Sequence, residues 1–150
     1  MKDSKRATEA RAFFAEGANC AQSVFTAFSR DMDMSTDQCL KISSAFGGGM
    51  GMQSTCGAVT GALMVIGGLK GYVCFEDDFA KQEIKRLTRL FLERFTKLNG
   101  NLTCRELVGY DFAAKDTTDP ALIEKAQLEI CPSLVELAVQ ILEELLGYTK

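Results

Sequence analysis

Apolar residues recur three and four positions apart along most of the chain, and no segment alternates with the period of two that a half-buried strand requires. The pattern predicts a first helix from about Ser4 to Glu16, with Ala7, Ala10 and Phe14 inward and Gly17 as its stop. A second helix follows from Cys20 to about Arg30 on Val24, Phe25 and Phe28. A third starts at Ser35, which has the capping-box spacing to Gln38, and buries Cys39, Ile42 and Phe46. The longest predicted helix runs from about Asp77 to Leu98. Its core side carries Phe79, Ile84, Leu87, Phe91 and Phe95, its outer face Lys, Arg and Glu, and Asn99-Gly100 ends it. A short helix from Cys104 has the box-like pair Thr103/Glu106 at its head and Gly109 at its end. Asp119-Pro120 opens another through about Glu129. Cys131-Pro132 opens the last, striped by Leu134, Val135, Ala138, Ile141, Leu142 and Leu145.

One stretch breaks the amphipathic pattern. From Ile42 to Leu69 there is no charged residue, and the glycines Gly47-Gly48-Gly49 and Gly51 precede Cys56-Gly57-Ala58-Val59-Thr60-Gly61-Ala62. This predicts a glycine-rich loop, flexible beside whatever site it borders, entering a buried central helix from about Thr55 to Leu69. A membrane span would need ~20 apolar residues, and the run here is shorter and interrupted by glycines. Gly57 and Gly61 share one face of that helix, where they either let another helix approach or leave room for a bulky inorganic group. The loop is no phosphate cradle, since it lacks the Gly-Lys-Ser/Thr ending and follows a helix rather than a strand. The whole reads as an all-α, single-domain bundle of about six to eight helices over residues 1–150, with a glycine-rich buried central helix.

Composition narrows the chemistry. A net charge of −3, with basic residues interleaved among acids, gives no footprint for nucleic acid. The start of the chain, Met1-Lys2-Asp3-Ser4-Lys5-Arg6, leads into a charged segment without a signal-type apolar run, so the expected location is the cytoplasm. There cysteines are more often free, metal-bound or catalytic than permanently paired. With 0 histidines, Cys/His zinc patterns, Ser-His and Cys-His nucleophile pairs and imidazole bases are all excluded. Chemistry falls to sulfur, carboxylates, Lys/Arg or the backbone.

Of the 6 cysteines, Cys20, Cys56, Cys104 and Cys131 each lie where a helix is predicted to begin. Asn19, Ser54-Thr55 and Thr103 precede the first three as cap formers, and Pro132 makes Cys131 the expected N-cap of the last helix. Unpaired N–H groups and the positive end of a helix dipole favour thiolate over thiol, so four such positions point to an anionic sulfur cluster. Cys39 falls on an apolar face and reads as core; Cys74 lies in a turn. No Cys-x-x-Cys spacing occurs, so spacing alone defines no site.

The chain resembles the C_GCAxxG_C_C family of redox-active proteins. The resemblance is carried by Asn19-Cys20-Ala21-Gln22-Ser23, Phe46-Gly47-Gly48-Gly49-Met50-Gly51, Thr55-Cys56-Gly57-Ala58-Val59-Thr60-Gly61-Ala62, Cys104-Arg105-Glu106-Leu107-Val108-Gly109-Tyr110-Asp111 and Cys131. The family label orders its central motif Gly-Cys-Ala, whereas this chain reads Cys56-Gly57-Ala58. The resemblance implies a helical domain with Cys20, Cys56, Cys104 and Cys131 as its redox-active or metal-binding centre. Its similarity to the domain of split-Soret-type cytochromes implies an iron-sulfur cluster.

Three chemistries follow for these four residues, with Gly57 and Gly61 as further cofactor-side candidates. One is an iron-sulfur cluster, most plausibly 2Fe-2S, for electron transfer with a redox partner protein. Another is zinc held by four thiolates in a structural or sensing role. The last is metal-free thiol-disulfide exchange. None implies an assignable enzyme, nucleic acid or membrane span, and a homodimer stays open.

Overall fold

The computed structural model describes residues 4–149, and among these it contains helices and no strand. The helices are α1 (Lys5–Ala15), α2 (Cys20–Thr26), α3 (Thr36–Ser43), α4 (Gly57–Lys70), α5 (Asp78–Asn99), α6 (Cys104–Val108), α7 (Pro120–Lys125) and α8 (Cys131–Leu145). The predicted starts are realised by side-chain caps. Ser4 accepts from Ala7 N–H, Asp77 accepts from Ala80 N–H, and Asn19/Gln22 and Ser35/Gln38 both form reciprocal capping boxes. Gly100 and Gly109 close α5 and α6 in the left-handed conformation.

Central helix α4 is buried through Ala58, Val59, Ala62, Val65 and Ile66, and α2, α5 and α8 pack around it. α5 contributes Leu87, Phe91 and Phe95; α8 contributes Val135, Ala138, Val139, Ile141 and Leu142. Two predicted core residues lie outside. Phe79 is 82% exposed and Ile42 54% exposed, because α5 rises past the bundle in its first turn and α3 sits at the edge with only Cys39 and Ser43 buried. Arg6 ties the ends of the bundle together. Its guanidinium meets Asp31 at 2.7 Å and Glu143 at 3.4 Å and lies over the rings of Phe28 and Tyr148, so the buried Glu143 carboxylate is not left unpaired.

Gly61 sits where α4 crosses α2. A Cβ added there would stand 2.8 Å from Ala21 carbonyl oxygen and 3.1 Å from Ala21 Cα, so the glycine is what lets α4 cross α2 closely. Gly61→Ala should therefore cost about 1–3 kcal/mol by overpacking while leaving thiol chemistry intact in the molecules that fold. Thermal melting alongside thiol titration checks this. A variant of unchanged stability that lost its thiol chemistry would contradict it.

The last two predicted helices are one. Backbone angles stay helical from α7 through Lys125, Ala126, Ile130 and Cys131 into α8, and Cys131 N–H bonds Ala126 carbonyl, five residues back. Pro132 is what misled the sequence reading. A proline in a continuing helix removes an i→i−4 bond and crowds the carbonyl four residues back, and the wider five-residue turn at Ala126–Ile130 accommodates both. Cys131 is thus not an N-cap.

Candidate functional site

Each cysteine-bearing segment is held by its own local device. Asn19 caps α2 through Gln22 N–H at 2.9 Å, while its Nδ2 donates to Ser44 carbonyl at 3.0 Å, which anchors Cys20 to the turn after α3. Cys56 and Cys104 are joined by backbone: Cys56 N–H donates to Leu102 carbonyl at 2.8 Å and Cys104 N–H to Ser54 carbonyl at 2.7 Å. These two bonds flank the antiparallel pairing of Thr55 with Thr103 and set the heads of α4 and α6 side by side. Cys56 itself caps α4, and Cys104 opens α6, but Thr103 makes no side-chain cap and its expected box with Glu106 is not formed. The Thr103 N–H that Glu106 would accept from in such a box donates instead to Asn101 Oδ1 at 2.9 Å.

The glycine run is a packed left-handed turn and not the flexible loop the sequence predicts. Gly48, Gly49, Met50 and Gly51 have φ of 61°, 61°, 62° and 72°, and Ser54 N–H closes the turn onto Gly49 carbonyl at 3.0 Å. L-residues pay ~1–2 kcal/mol each in that conformation, which is why glycine fills three of the four positions. The turn is pressed against its surroundings. A Cβ on Gly47 would lie 2.5 Å from Asn19 Cβ, and one on Gly49 would lie 2.5 Å from Ser54 N and 2.9 Å from Cys104 Cβ.

These devices bring Cys20, Cys56, Cys104 and Cys131 to a single cavity of about 240 Å³. Its remaining walls are mostly apolar, with Phe14, Leu107, Phe112 and Leu134 among them, and Gly57 lines it where its Cα passes the Cys20 side chain. Gly61 is not in the lining. Cys39 is fully buried in the helical core and Cys74 is exposed with its thiol 3.4 Å from Glu76, so neither reaches the cavity. Among the described residues no group of three or more His, Cys, Asp or Glu is arranged to hold one metal ion.

The electrostatics differ from the thiolate environment expected of four helix starts. Burial pushes Cys56 up to about 12, although the amides of Ala58 and Val59 at the head of α4 favour its thiolate. Burial likewise raises Cys104, with nearby Cys131 adding to it and the Gln53 amide opposing. Cys20 is held well above the usual thiol range, first because its S–H donates to Cys131 and then by burial. Cys131 is drawn below that range because its sulfur accepts this bond, against a smaller effect of burial. Desolvation thus leads at Cys56, where it overrides the helix end, and at Cys104, while Cys20 and Cys131 are shifted in opposite directions first by each other.

Sequence reasoning missed Gln53 and Phe112. Gln53 is 4% exposed at a left-handed φ of 52°. Its Nε2 donates to Tyr110 carbonyl at 2.9 Å and its Oε1 accepts from Phe112 N–H at 2.7 Å, fastening the segment after α6 over the cavity. The available signal was its isolation, as the one amide side chain in the uncharged run from Ile42 to Leu69. Asp111 anchors that segment locally, accepting from Ala113 N–H at 2.9 Å, in keeping with a loop-anchoring role. No helix of the described residues is long and apolar enough to cross a membrane.

A family model described as "Putative redox-active protein (C_GCAxxG_C_C)" matches residues 18–145. Among curated proteins and among solved structures nothing matches the chain.

Proposed function

Because the chain belongs to the C_GCAxxG_C_C family of redox-active proteins, we propose that its redox centre is the four-cysteine cavity and that Cys20, Cys56, Cys104 and Cys131 hold an iron-sulfur cluster there for electron transfer. The observation that carries this reading is the cavity itself. Four thiols from four separate segments line about 240 Å³ of otherwise mostly apolar space. That donor set is the one iron-sulfur clusters take. Four thiolates are also the donor set of a tetrahedral zinc site, with sulfurs about 2.3 Å from the metal, and metal analysis of the reconstituted protein separates the two.

Such a cluster would supply one-electron chemistry. The chain's own part is to exclude water with Phe14, Leu107, Phe112 and Leu134 and to fix the sulfurs through the Cys56/Cys104 backbone bridge. An apolar, desolvated wall disfavours adding charge and is one of the levers by which proteins set a potential. Anaerobic reconstitution with ferrous iron and sulfide tests the reading. Visible absorption, stoichiometric iron and acid-labile sulfide are expected, and protein that takes up neither overturns it.

A second reading is favoured by the placing of Cys20 and Cys131 side by side in the cavity lining, where each shifts the other, Cys20 upward and Cys131 downward. In metal-free protein the Cys131 thiolate would attack a small disulfide and expel a thiolate. Cys20 would then attack the mixed disulfide, so that two electrons pass to the substrate, which leaves as two thiols. Mass mapping of brief alkylation should find Cys131 modified well before Cys20 or Cys56. Equal labelling of the three would remove the support for this pair.

A further inference from the structure

We propose that Phe112 is a gate over the four-cysteine cavity, latched by Gln53, and that reagents and inorganic ligands reach the buried sulfurs by its opening. Of the residues lining the cavity, Phe112 alone is exposed at the surface, at 38%, so it stands where the cavity meets solvent. Its ring closes against the glycine turn, where a Cβ on Gly48 would be 3.3 Å from Phe112 Cε2, and it packs on Tyr110 with ring centroids 5.3 Å apart. No residue from Asp111 to Pro120 is buried. That segment therefore gains little from apolar burial, which places it at the low end of local opening free energies.

The latch is specific. Gln53 grips the backbone on both sides of Asp111, through Tyr110 carbonyl and Phe112 N–H. The exposed Arg105/Asp111 contact at 3.5 Å adds little. Gln53 lies at the foot of the left-handed turn, 57 residues before Tyr110, so its bonds tie the segment to the glycine turn and do not form inside the segment. Gly109, with φ of 81° at the end of α6, is the natural pivot on one side, and the cap Asp119 at the head of α7 bounds the other. When the two bonds break, the segment is free to swing about Gly109 and carry Phe112 away from Gly48.

The gate deepens the reading of the cavity as the functional site, and its test is made on reduced, metal-free protein so that it does not depend on cluster assembly. The readout is the rate at which a bulky maleimide modifies Cys56 and Cys104, mapped by mass spectrometry, with Cys39 in the helical core as the internal monitor of global unfolding. Phe112→Ala removes the plug, Gln53→Ala removes the latch, and Phe112→Trp enlarges the plug. The alanine variants should label Cys56 and Cys104 at least fivefold faster than the unaltered chain, and the tryptophan variant more slowly, with Cys39 unchanged in all. Smaller accelerations, or acceleration matched at Cys39, would overturn the gate. Faster cavity labelling in a protein that takes up no iron or sulfide would leave the gate standing and remove the cluster.

Discussion

Placing alanine at Gly49 is expected to lower the melting temperature by about 10 °C and to strip the cavity of ordered thiol chemistry. Two costs add. A non-glycine residue at φ of 61° pays ~1–2 kcal/mol, and the new methyl group meets Ser54 N at 2.5 Å, Ser54 O at 2.8 Å and Cys104 Cβ at 2.9 Å, two of which are backbone atoms that cannot rotate aside. Overpacking of that kind costs about 1–3 kcal/mol, and each kcal/mol is worth roughly 2–4 °C in a chain of this size. Gly51 is the control. It has φ of 72° but nothing within 4 Å of an added Cβ, so Gly51→Ala should pay the conformational cost alone and keep the site. Calorimetry on both variants decides; equal melting temperatures for the two would show that Gly49 is not clamped between Ser54 and Cys104.

Serine at any one of Cys20, Cys56, Cys104 or Cys131 is expected to reduce iron and acid-labile sulfide after reconstitution at least tenfold, whereas Cys39→Ala and Cys74→Ser retain both. A hydroxyl is a poor ligand for the soft iron-sulfur core, and with an apolar wall around it no neighbouring side chain substitutes. Cys39 is separated from the cavity by its place in the core, so its loss costs packing only, and Cys74 is in solvent. Metal analysis of the six variants, each with a far-UV dichroism spectrum, checks this. Full iron retained after changing one of the four would show that cysteine to be no ligand, and iron lost with Cys74→Ser would move the site elsewhere.

The helices were legible because their signals are local. Ser35 with Gln38, Asn19 with Gln22, Asp77 with Ala80 and Gly100 with Thr96 are caps whose partners lie within a turn, and the apolar spacing of α8 needs no tertiary information. The grouping of the four cysteines came from their shared place at expected helix starts together with the family pattern, since no spacing in the chain predicts that distant segments meet. What stayed illegible is long-range or exceptional. The backbone bridge between Thr55 and Thr103 leaves no mark on side-chain patterning, and the Gln53 latch reaches 57 residues along the chain. Pro132 obeyed the usual rule for a helix start until the five-residue turn before it relieved the clash. The expectation of thiolates failed for a related reason: periodicity marks a helix end, but how much water reaches it depends on the packing of other segments.

The bridge between Cys56 and Cys104 also bears on when the site is assembled. Its two halves are separated by α4 and by the 22 residues of α5, which must form and turn back before either bond can close. Closing a loop of about fifty residues costs roughly 3 kcal/mol in chain entropy beyond a constant, which nothing local repays until the helices dock. The cavity is therefore a late product of folding. Until then four thiols remain in solvent on a chain already rich in helix, and this interval is when they are most open to oxidation or to stray metals. A newly made chain is thus most vulnerable at the residues it was built to shelter.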